Sequence, residues 1–419
     1  MVVLGATGVT GRRVAAYLAG RAQSAGVRWA VAARDAGRAH RQLAEIGVAA
    51  PETLVADVGD PASLRRLAGR TRVVLDVVGP YTLYGAPVIE ACVQSGAHYV
   101  DLTGEIPFVR RMIDAHDAAA RAAGVKIVQV CGFESLPPDL AIAIAAETAR
   151  ERWQEPLASV EVQVTITPPP GAPRPSDMIS GGTLQSLFAV AAGEGAETIA
   201  DPAALVPEDG AARAVRAASP ITLVPKIERS GAVIAPMAPA PFINPAVIHR
   251  TAVVADIEAG RAASPFRYRE GVVIGGSVLT LPLRAGMAGA MAGTQVALRG
   301  FARTSRPLRS RIVETFAHLA PGSGYGPAAG RLEAWRWTLA VRARTGSGRE
   351  LRVDVDADGH PGYLATARML GEAGVLLCRD GLTPARAGCL TPALALGTAS
   401  APSFEHAKVR FSLRSGRTS

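Results

Sequence analysis

No part of this sequence restricts the fold more than the glycine-rich segment GATGVTG at residues 5–11. It follows an apolar run at residues 1–4, and it precedes residues 12–18, whose apolar side chains recur at helical spacing. A strand, a glycine turn and a helix in this order are the context that a dinucleotide fingerprint requires. The alternative is a glycine-rich turn that binds nothing. We interpret the segment as a nucleotide-binding turn.

The three glycines of this turn have separate expected roles. Gly5 allows the tight turn, Gly8 lets the backbone approach a pyrophosphate, and Gly11 lets the helix pack closely against the strand. The N–H groups at the start of the helix have no partners within it, so they can hold phosphates. The expected phosphate-binding residues are Gly5, Thr7, Gly8, Val9, Thr10 and Gly11.

Short apolar strands alternate with helices through the first third of the chain. After the first strand, further strands are predicted at residues 27–33, 53–56, 73–78, 99–102 and 125–130. The fourth strand, at residues 73–78, has almost no polar residue, as expected of a strand that is covered on both faces. This alternation predicts an α/β protein with a Rossmann-type, doubly wound parallel sheet.

The residue that ends the second strand bears on the choice of cofactor. That residue is Arg34, whereas an NAD site would need an acid near this point for the ribose 2′-hydroxyl. An arginine suits a 2′-phosphate, and Arg38 is a second candidate partner for it. Asp35 would repel the phosphate unless it points away as a helix cap. We therefore expect NADP(H) rather than NAD(H); the alternative for Arg34 is a solvated surface charge.

Two further loops complete the expected cofactor site. Asp57 follows the third strand, and it either accepts from the adenine amino group or caps the helix predicted at residues 61–67. Val78, Gly79 and Pro80 end the fourth strand. The carboxyl end of a central parallel strand borders the nicotinamide crevice, so we expect these three residues to contact the cofactor.

Hydride transfer requires a protein group that supplies a proton or stabilises a developing oxyanion. Tyr81 and Tyr84 lie in the loop expected beside the nicotinamide and are catalytic candidates, with a packed aromatic pair as the alternative. Glu105 closes the next loop and is a third candidate, with a helix cap as its alternative. Glu134 is a weaker candidate of the same kind.

The pattern changes in the second half of the chain. Residues 158–167 alternate with period two, which indicates an antiparallel sheet, and residues 332–341 and 350–355 are predicted to pair. Residues 193–229 read as irregular, and residues 231–245, with four prolines, read as an extended loop. We therefore expect a second domain of mixed α/β structure that is largely antiparallel.

Residues 271–302 are small, apolar and rich in glycine and alanine. A spanning helix needs about 20 apolar residues without charge, and Arg284 together with the glycines argues against a span. The spacing Gly289-x-x-x-Gly293 allows close helix packing. Two interpretations stay open: a buried or homodimer-interface helix, and a segment in peripheral contact with a membrane.

Composition excludes several classes of protein. The 419 residues are 48% apolar and 19% charged, which is typical of a globular chain. The net charge is +9, but no dense basic run with interleaved aromatic residues occurs, so we expect no nucleic acid partner. The four cysteines show neither metal-ligand spacing nor a disulfide framework, and no signal peptide is apparent. We expect no bound metal. We also expect a cytoplasmic protein, with peripheral contact at the inner face of the plasma membrane as a further option.

Five motifs occur in order: GATGVTG at residues 5–11, VGPYTLYG at 78–85, YVDLTGE at 99–105, CGFESLPPD at 131–139 and SGGT at 180–183. This series resembles the saccharopine dehydrogenase-like oxidoreductases, in the branch that includes the bacterial trans-acting enoyl reductases. Residues 362–378, 381–383 and 390–393 extend the resemblance to the C-terminal part.

The resemblance implies a division into three parts. We expect an NADP-binding Rossmann domain at residues 1–136 and a substrate and oligomerisation domain at residues 137–358. A helical segment at residues 359–419 is expected to return to the Rossmann domain. The substrate site is expected to draw on residues of the last two motifs in the first half of the chain, namely Phe133, Ser135, Asp139, Gly182 and Thr183.

The resemblance also implies an activity, the NADPH-dependent reduction of an enoyl double bond on an acyl or polyketide chain in lipid or glycolipid biosynthesis. The substrate would be a small molecule or a carrier-bound acyl chain. The Ala, Pro and Val content of the middle segment suits an apolar chain better than an amino-dicarboxylate. Two alternatives stay open: a saccharopine-reductase-like reductase of imines or ketones, and a catalytically silent NADP-binding protein at a lipid surface.

Overall fold

The computed structural model describes residues 1–49, 52–171, 181–193, 195–317 and 329–415, in which two seven-stranded sheets and fourteen α-helices occur. The strands are β1 (Val2–Leu4), β2 (Ala30–Ala33), β3 (Thr53–Val55), β4 (Val73–Asp76), β5 (His98–Asp101), β6 (Lys126–Val128), β7 (Leu157–Thr167), β8 (Lys226–Ile227), β9 (Val233–Ala235), β10 (Arg267–Ile274), β11 (Arg336–Thr345), β12 (Glu350–Asp358), β13 (Gly388–Leu390) and β14 (Val409–Ser415). The helices are α1 (Val9–Arg21), α2 (Ala36–Ala44), α3 (Pro61–Ala68), α4 (Tyr81–Ser95), α5 (Ile106–Ala122), α6 (Leu136–Trp153), α7 (Gly181–Ala192), α8 (Asp209–Ala218), α9 (Ala240–Glu258), α10 (Leu281–Ala302), α11 (Arg306–Ala317), α12 (Ala329–Leu332), α13 (Thr366–Leu377) and α14 (Pro392–Leu396).

The first sheet is parallel throughout and has the strand order β3-β2-β1-β4-β5-β6-β13. Its first six strands follow the order of dinucleotide-binding folds, and the order reverses between β1 and β4. Every residue of β1, β2 and β4 is buried, as expected when helices cover both faces of a sheet. The predicted Rossmann-type sheet is therefore confirmed, and its carboxyl edge at β1 and β4 is the expected ligand crevice.

The C-terminal part of the chain returns to this sheet. Strand β13 pairs in parallel with β6, and α13 packs against α1. The buried carboxylate of Glu372 on α13 accepts from Arg21 Nε and Nη2, both at 3.0 Å, and also from the hydroxyl of Tyr17. Two side chains of α1 are thus held by a residue more than 350 positions away in the sequence.

The second sheet has the order β14-β12-β11-β7-β10-β9-β8. All neighbours are antiparallel except β7 and β10, which run parallel. Along β11 exposed and buried side chains alternate, so one face of the sheet is solvated and the other packs on helices. The predicted second domain of mixed, largely antiparallel structure is confirmed.

Two regions of the second domain differ from their sequence predictions. The stretch 193–229 contains the helix α8, and the stretch 231–245 contains β9 and the start of α9 rather than an extended loop. Proline is tolerated in the first turn of α9, where N–H groups have no helical partner. Most of α9 is buried on all sides, so its sequence lacks the periodicity that would reveal a surface helix.

The stretch 271–302 is divided between β10 and α10. Each described helix falls short of the length or the hydrophobicity that a bilayer crossing would require.

Candidate functional site

The glycine turn lies at the carboxyl end of β1 and has the geometry that its sequence implies. Gly5 has φ +90°, and a Cβ there would stand 2.7 Å from Val78 Cγ2. A Cβ on Gly11 would stand 2.2 Å from the carbonyl oxygen of Gly5, so the helix can approach the turn only with glycine at this position. Both positions therefore require glycine for packing reasons that do not involve a ligand.

Gly8 is different, because it is exposed and the space beside it is open. A Cβ on Gly8 would meet only Gly5 O, at an ordinary 3.5 Å. Gly8 also precedes the first residue of α1, and it offers no side chain to cap the helix. The start of α1 thus has no side-chain cap and has open space at Gly8, which fits an approaching pyrophosphate.

The side chains of the turn differ in how far they are buried. Val9 is buried against Leu332 and Tyr363 of the C-terminal half, so any contact of Val9 with a phosphate would come from its main chain. Thr7 and Thr10 are half-buried.

A cavity of about 320 Å³ adjoins the turn and is lined by Thr7, Ala33, Arg34, Asp35 and Arg38. Arg34 and Arg38 are exposed at this cavity. Asp35 Oδ1 accepts from the main-chain N–H of Arg38 at 2.8 Å and so caps α2. The Asp35 carboxylate therefore caps the helix, and the guanidinium groups of Arg34 and Arg38 are the charged groups at the cavity that can bind an anion. This cavity fits an adenosine 2′-phosphate.

Asp57 closes a turn after β3. Its Oδ1 accepts from the N–H of Gly59 at 2.9 Å, whereas the side chain that caps α3 is Asp60, which accepts from Ala62 N–H at 2.9 Å. The interpretation of Asp57 as the cap of that helix is therefore wrong. Its contact with adenine stays a prediction.

The loop after β4 lies between the two domains. The N–H of Val78 donates to Asp76 Oδ1 at 2.9 Å. A Cβ on Gly79 would stand 3.6 Å from Ser186 Oγ, so α7 of the second domain lies beside Gly79. The expected nicotinamide loop is thus in contact with the second domain through α7.

A buried polar network supports this loop from below. The hydroxyl of Tyr99 lies 3.1 Å from Asp76 Oδ2 and 3.0 Å from Asp101 Oδ2. Burial holds the pKa of both carboxyls above their usual range. Asp101 Oδ1 accepts from two main-chain N–H groups, those of Thr103 and Val130. Asp101 is therefore the better-stabilised anion, and Asp76 is the carboxyl that retains a proton.

Tyr81 and Glu105 meet at the start of α4. Glu105 Oε1 accepts from Tyr81 N–H at 3.0 Å, and Glu105 Oε2 accepts from Thr82 N–H at 2.7 Å. The hydroxyl of Tyr81 donates to the carbonyl oxygen of Asp76 at 3.0 Å, and its ring stacks on Phe108. Both residues are buried in the framework of the site, and their catalytic roles stay predictions.

The expected loop at residues 79–85 is therefore helical from Tyr81 onward, because the carboxylate of Glu105 caps α4 from the next loop along the sheet. Tyr84 lies in the first turn of this helix. Its side chain is exposed, unlike that of Tyr81, and its catalytic role also stays a prediction.

The loop after β6 connects the first domain to the second. The N–H of Phe133 donates to Thr366 Oγ1 at 3.0 Å, and the ring of Phe133 packs edge-on against Trp337 of β11. Ser135 Oγ donates to Asn244 Oδ1 of α9 at 2.8 Å. The loop thus connects the two domains at the crevice. Phe133 and Ser135, two of the predicted substrate residues, form contacts with other residues of the protein.

Asp139 is buried in the first turn of α6. It accepts from Thr251 Oγ1 at 2.6 Å and from the N–H of Ala393 at 2.8 Å, and so ties α6 to α9 and α14. Burial raises its pKa to about 7. Gly182 and Thr183 are in the first turn of α7, and their side chains lie outside the described residues.

Sequence reasoning missed Asn244, Tyr268 and Glu270, which the structure brings to the loop after β6. Asn244 is fully buried, and Glu270 is half-buried beside it. Asn244 interrupts the apolar stretch at residues 240–248, and that isolation is the signal that could have found it. Tyr268 and Glu270 lie beside Arg267 and Arg269 on β10, so the sequence around them gives no such signal. In the described ranges, no group of three or more His, Cys, Asp or Glu is arranged to hold a metal.

Comparisons with known proteins identify the family to which this chain belongs. Residues 1–128 match the family model of the saccharopine dehydrogenase NADP-binding domain. A protein named putative trans-acting enoyl reductase from Mycobacterium tuberculosis is 33% identical over 95% of this chain and 93% of its own. A protein named trans-acting enoyl reductase from Mycobacterium bovis is 30% identical over 95% and 94% of the two chains.

Among solved structures, the saccharopine dehydrogenase (L-Glu forming) of Saccharomyces cerevisiae shares the fold, with a TM-score of 0.51. It is 15% identical and aligns over 99% of each chain. The glycine turn, the arginine-lined cavity and the family match together assign NADP(H) as the cofactor. The chain therefore belongs to the saccharopine dehydrogenase-like oxidoreductases, in the branch of the bacterial trans-acting enoyl reductases, and is an NAD(P)-dependent oxidoreductase.

Proposed function

We propose that the protein uses NADPH to reduce the carbon–carbon double bond of an enoyl group on an acyl or polyketide chain of lipid or glycolipid synthesis. The relatives that match nearly the whole chain are named trans-acting enoyl reductases. Their name supports a substrate that arrives attached to a carrier. The dinucleotide, when bound, supplies the hydride, and this chain orients the acceptor against it.

The observation that best supports an acyl substrate is the character of α7. This helix lies beside Gly79, and its residues 185–192, QSLFAVAA, carry no charge. Those side chains are half-buried or exposed, so an apolar surface is partly open beside the expected nicotinamide loop. Such a surface suits an alkyl chain and carries no cation that could pair with a carboxylate.

Three basic residues in the middle of the chain are already engaged with protein and are not free to pair with an amino-dicarboxylate. Arg216 pairs with Asp201 at 2.7 Å, and Lys226 pairs with Glu161 at 2.5 Å. The buried Arg250 donates to two main-chain carbonyl oxygens. These cations are already engaged, whereas a substrate with two carboxylates needs several that are free and convergent.

The experiment is NADPH oxidation followed by absorbance, first with medium-chain enoyl thioesters of pantetheine and of acyl carrier protein, then with panels of ketones and imines. We expect turnover with the enoyl thioesters alone. Turnover of ketones or imines without enoyl turnover would replace the proposal by an imine or ketone reductase. Tight NADPH binding without turnover on any panel would identify a silent binder.

We also propose that α10 contacts an anionic lipid surface. Its outer face is apolar and uncharged, with Leu283 68% exposed and Met287 50% exposed, and Leu279 protrudes just before it. From residue 271 to residue 313 the sequence contains six arginines and no acidic residue. Arg284 and Arg309 are buried, and the other four arginines are exposed or half-buried. An apolar face with cations beside it complements an anionic interface, and this charge pattern favours lipid over a second copy of the chain.

Flotation with phosphatidylglycerol vesicles tests this contact, against phosphatidylcholine vesicles as the reference. We expect binding to the anionic vesicles at low salt, and we expect Leu283→Ser with Met287→Ser to reduce it. The matched control is Val224→Ser, because Val224 is also 68% exposed but lies elsewhere on the surface. A dimer in gel filtration that the double variant dissociates, without flotation, would show that the face binds a second copy instead.

A further inference from the structure

Gly79, in the loop after β4, resembles Gly8 because neither its packing nor its backbone requires glycine. A Cβ there would stand 3.6 Å from Ser186 Oγ and 3.8 Å from Tyr81 Cε2, which are ordinary contact distances. Its φ is not positive, and the residue is exposed although α7 lies beside it. Gly79 therefore borders unfilled space between the two domains, and the absence of a side chain leaves room there for a ligand.

Ser186 lies at this space on the side of the second domain. It is half-buried in α7, and in the part of the chain that the structure describes no group is hydrogen-bonded to its hydroxyl. A serine in a helix commonly bonds to the carbonyl oxygen four residues earlier or points to solvent. Ser186 Oγ instead lies beside Gly79, and from residue 186 to residue 192 it is the only polar side chain in the sequence. This hydroxyl is therefore a polar group without a partner at the expected nicotinamide loop.

The position of α7 is fixed at its other end by Arg309 of α11. This arginine is buried, and it donates from Nε to Ala191 O at 2.8 Å and from Nη2 to Gly193 O at 3.2 Å, at the carboxyl end of α7. Its Nη1 donates to Ala302 O, the last residue of α10, at 3.1 Å. A buried cation that binds the carbonyl oxygens of two helix ends holds both helices in place. Ser186 thus belongs to an anchored helix.

We propose that Ser186 is a cofactor-binding residue, and that its hydroxyl forms a hydrogen bond with the carboxamide of the nicotinamide ring. In a doubly wound sheet the dinucleotide lies across the point where the strand order reverses, which here is between β1 and β4. With its phosphates at the turn after β1, its nicotinamide end reaches the loop after β4. The carboxamide is the polar group of the ring, and a serine hydroxyl can donate to its oxygen or accept from its NH2 group.

This hydrogen bond gives the second domain a part in orienting the reactive ring. The residues that follow Ser186 form the apolar surface of α7, which the proposed function assigns to the acyl chain. One helix then contacts both the ring and the acceptor, which is how a protein aligns two reacting groups. The contact of Ser186 itself requires NADP(H) as cofactor and does not require an enoyl substrate.

The first test is calorimetric titration with two ligands, NADPH and the 2′-phosphate of ADP-ribose, which has the same phosphates and both riboses but no nicotinamide. We expect Ser186→Ala to weaken the binding of NADPH by about 3–10-fold, as for the loss of one neutral hydrogen bond, and to leave the second ligand unaffected. Ser95→Ala is the matched control, because Ser95 is also a half-buried helical serine and lies about 21 Å from Tyr81 along α4. Equal losses for both ligands, or unchanged binding of NADPH, would overturn the proposal.

The second test fills the space beside Ser186 by Gly79→Ala. The protein can accommodate this methyl group, so the unfolding temperature without ligand should stay near that of the wild type. We expect the binding of NADPH to weaken by about 10-fold or more, and that of the ligand without nicotinamide to change much less. Unchanged binding of NADPH would show that the ring does not lie at Gly79. Since neither test uses an acceptor, both outcomes are independent of whether the protein reduces enoyl groups.

Discussion

At the scale of single residues, one hydrogen bond of Asp35 determines whether the site beside Arg34 can accept a phosphate. By sequence, the carboxylate of Asp35 counts against a 2′-phosphate at this position. In the structure it caps α2 through the N–H of Arg38, so it is oriented toward the helix and its charge is partly compensated by the helix dipole. Arg34 and Arg38 are then the charged groups that a bound phosphate would meet.

We therefore expect Arg34→Ala to weaken the binding of NADPH much more than the binding of NADH. The loss should equal one or two charged hydrogen bonds, roughly 1.5–3 kcal/mol each. Titration of both coenzymes by fluorescence or calorimetry measures the difference. Arg41→Ala is the matched control, because Arg41 is exposed on the same helix but does not line the cavity. Equal losses for both coenzymes would show that Arg34 does not contact the 2′-phosphate.

Asp76 gives a prediction about pH. Burial raises its pKa to about 8, whereas an unfolded aspartate titrates near 3.9. Between these values the folded state binds a proton that the unfolded state does not, so the free energy of unfolding falls as pH rises through this window. Asp76→Asn keeps a group that can accept from Val78 and donate to Tyr99, and it cannot ionise.

The free energy of unfolding, measured in urea, should accordingly fall less between pH 5 and pH 8 in Asp76→Asn than in the wild type. Asp114→Asn, on the exposed face of α5, serves as the control for removal of an acidic group. A loss as large in Asp76→Asn as in the wild type would mean that Asp76 is already ionised in the folded protein.

At the scale of elements, the start of α4 depends on a residue outside it. The two N–H groups of its first turn are bound by the two carboxylate oxygens of Glu105, a bidentate arrangement that also complements the helix dipole. The preceding Pro80 has no side chain that could do this. Because the same turn follows Val78, Gly79 and Pro80, the cap also fixes the loop expected at the nicotinamide.

Glu105→Gln should thus destabilise the protein by about 1–3 kcal/mol, since an amide offers one acceptor oxygen in place of two. The same change should modestly weaken the binding of NADPH. Thermal unfolding with and without NADPH measures both effects, and Glu90→Gln on the exposed side of α4 is the control. If Glu105 were instead the proton donor, kcat would fall steeply while the unfolding temperature stayed near that of the control.

The limits of sequence prediction follow from such long-range contacts. The glycine turn, Arg34 and the strand alternation could be predicted because their causes are local: steric room, charge and periodicity. The helical start at Tyr81 could not, because its cap lies 24 residues later. Helix α9 could not be predicted, because a helix that is buried on all sides lacks apolar periodicity. The role of Glu270 could not be predicted either, because its partner Asn244 lies on another element and meets it only in the folded chain.

At the scale of the whole molecule, the two sheets share one continuous apolar core. It includes residues of β1, β4, α6, β11, β12 and α13. All twelve residues of α13 are buried, and two of its glycines allow close contact with the first domain. A Cβ on Gly374 would stand 2.8 Å from Leu75 Cδ2 of β4, and one on Gly371 would stand 2.5 Å from Tyr17 Cδ1 of α1. The fingerprint helix α1 is thus packed against a segment that follows the entire second domain.

This shared core predicts that a clash under α13 destabilises both domains together. Gly374→Val should cost about 1–3 kcal/mol through overpacking against Leu75, in addition to its helix-propensity effect. Gly20→Val on α1 is the matched control, because no atom lies within 4 Å of a Cβ at Gly20. Calorimetry should show one transition, shifted to lower temperature in Gly374→Val and raised by NADPH in both variants. Two separated transitions in Gly374→Val, with only the first one responding to NADPH, would show that the domains unfold independently and that the core does not couple them.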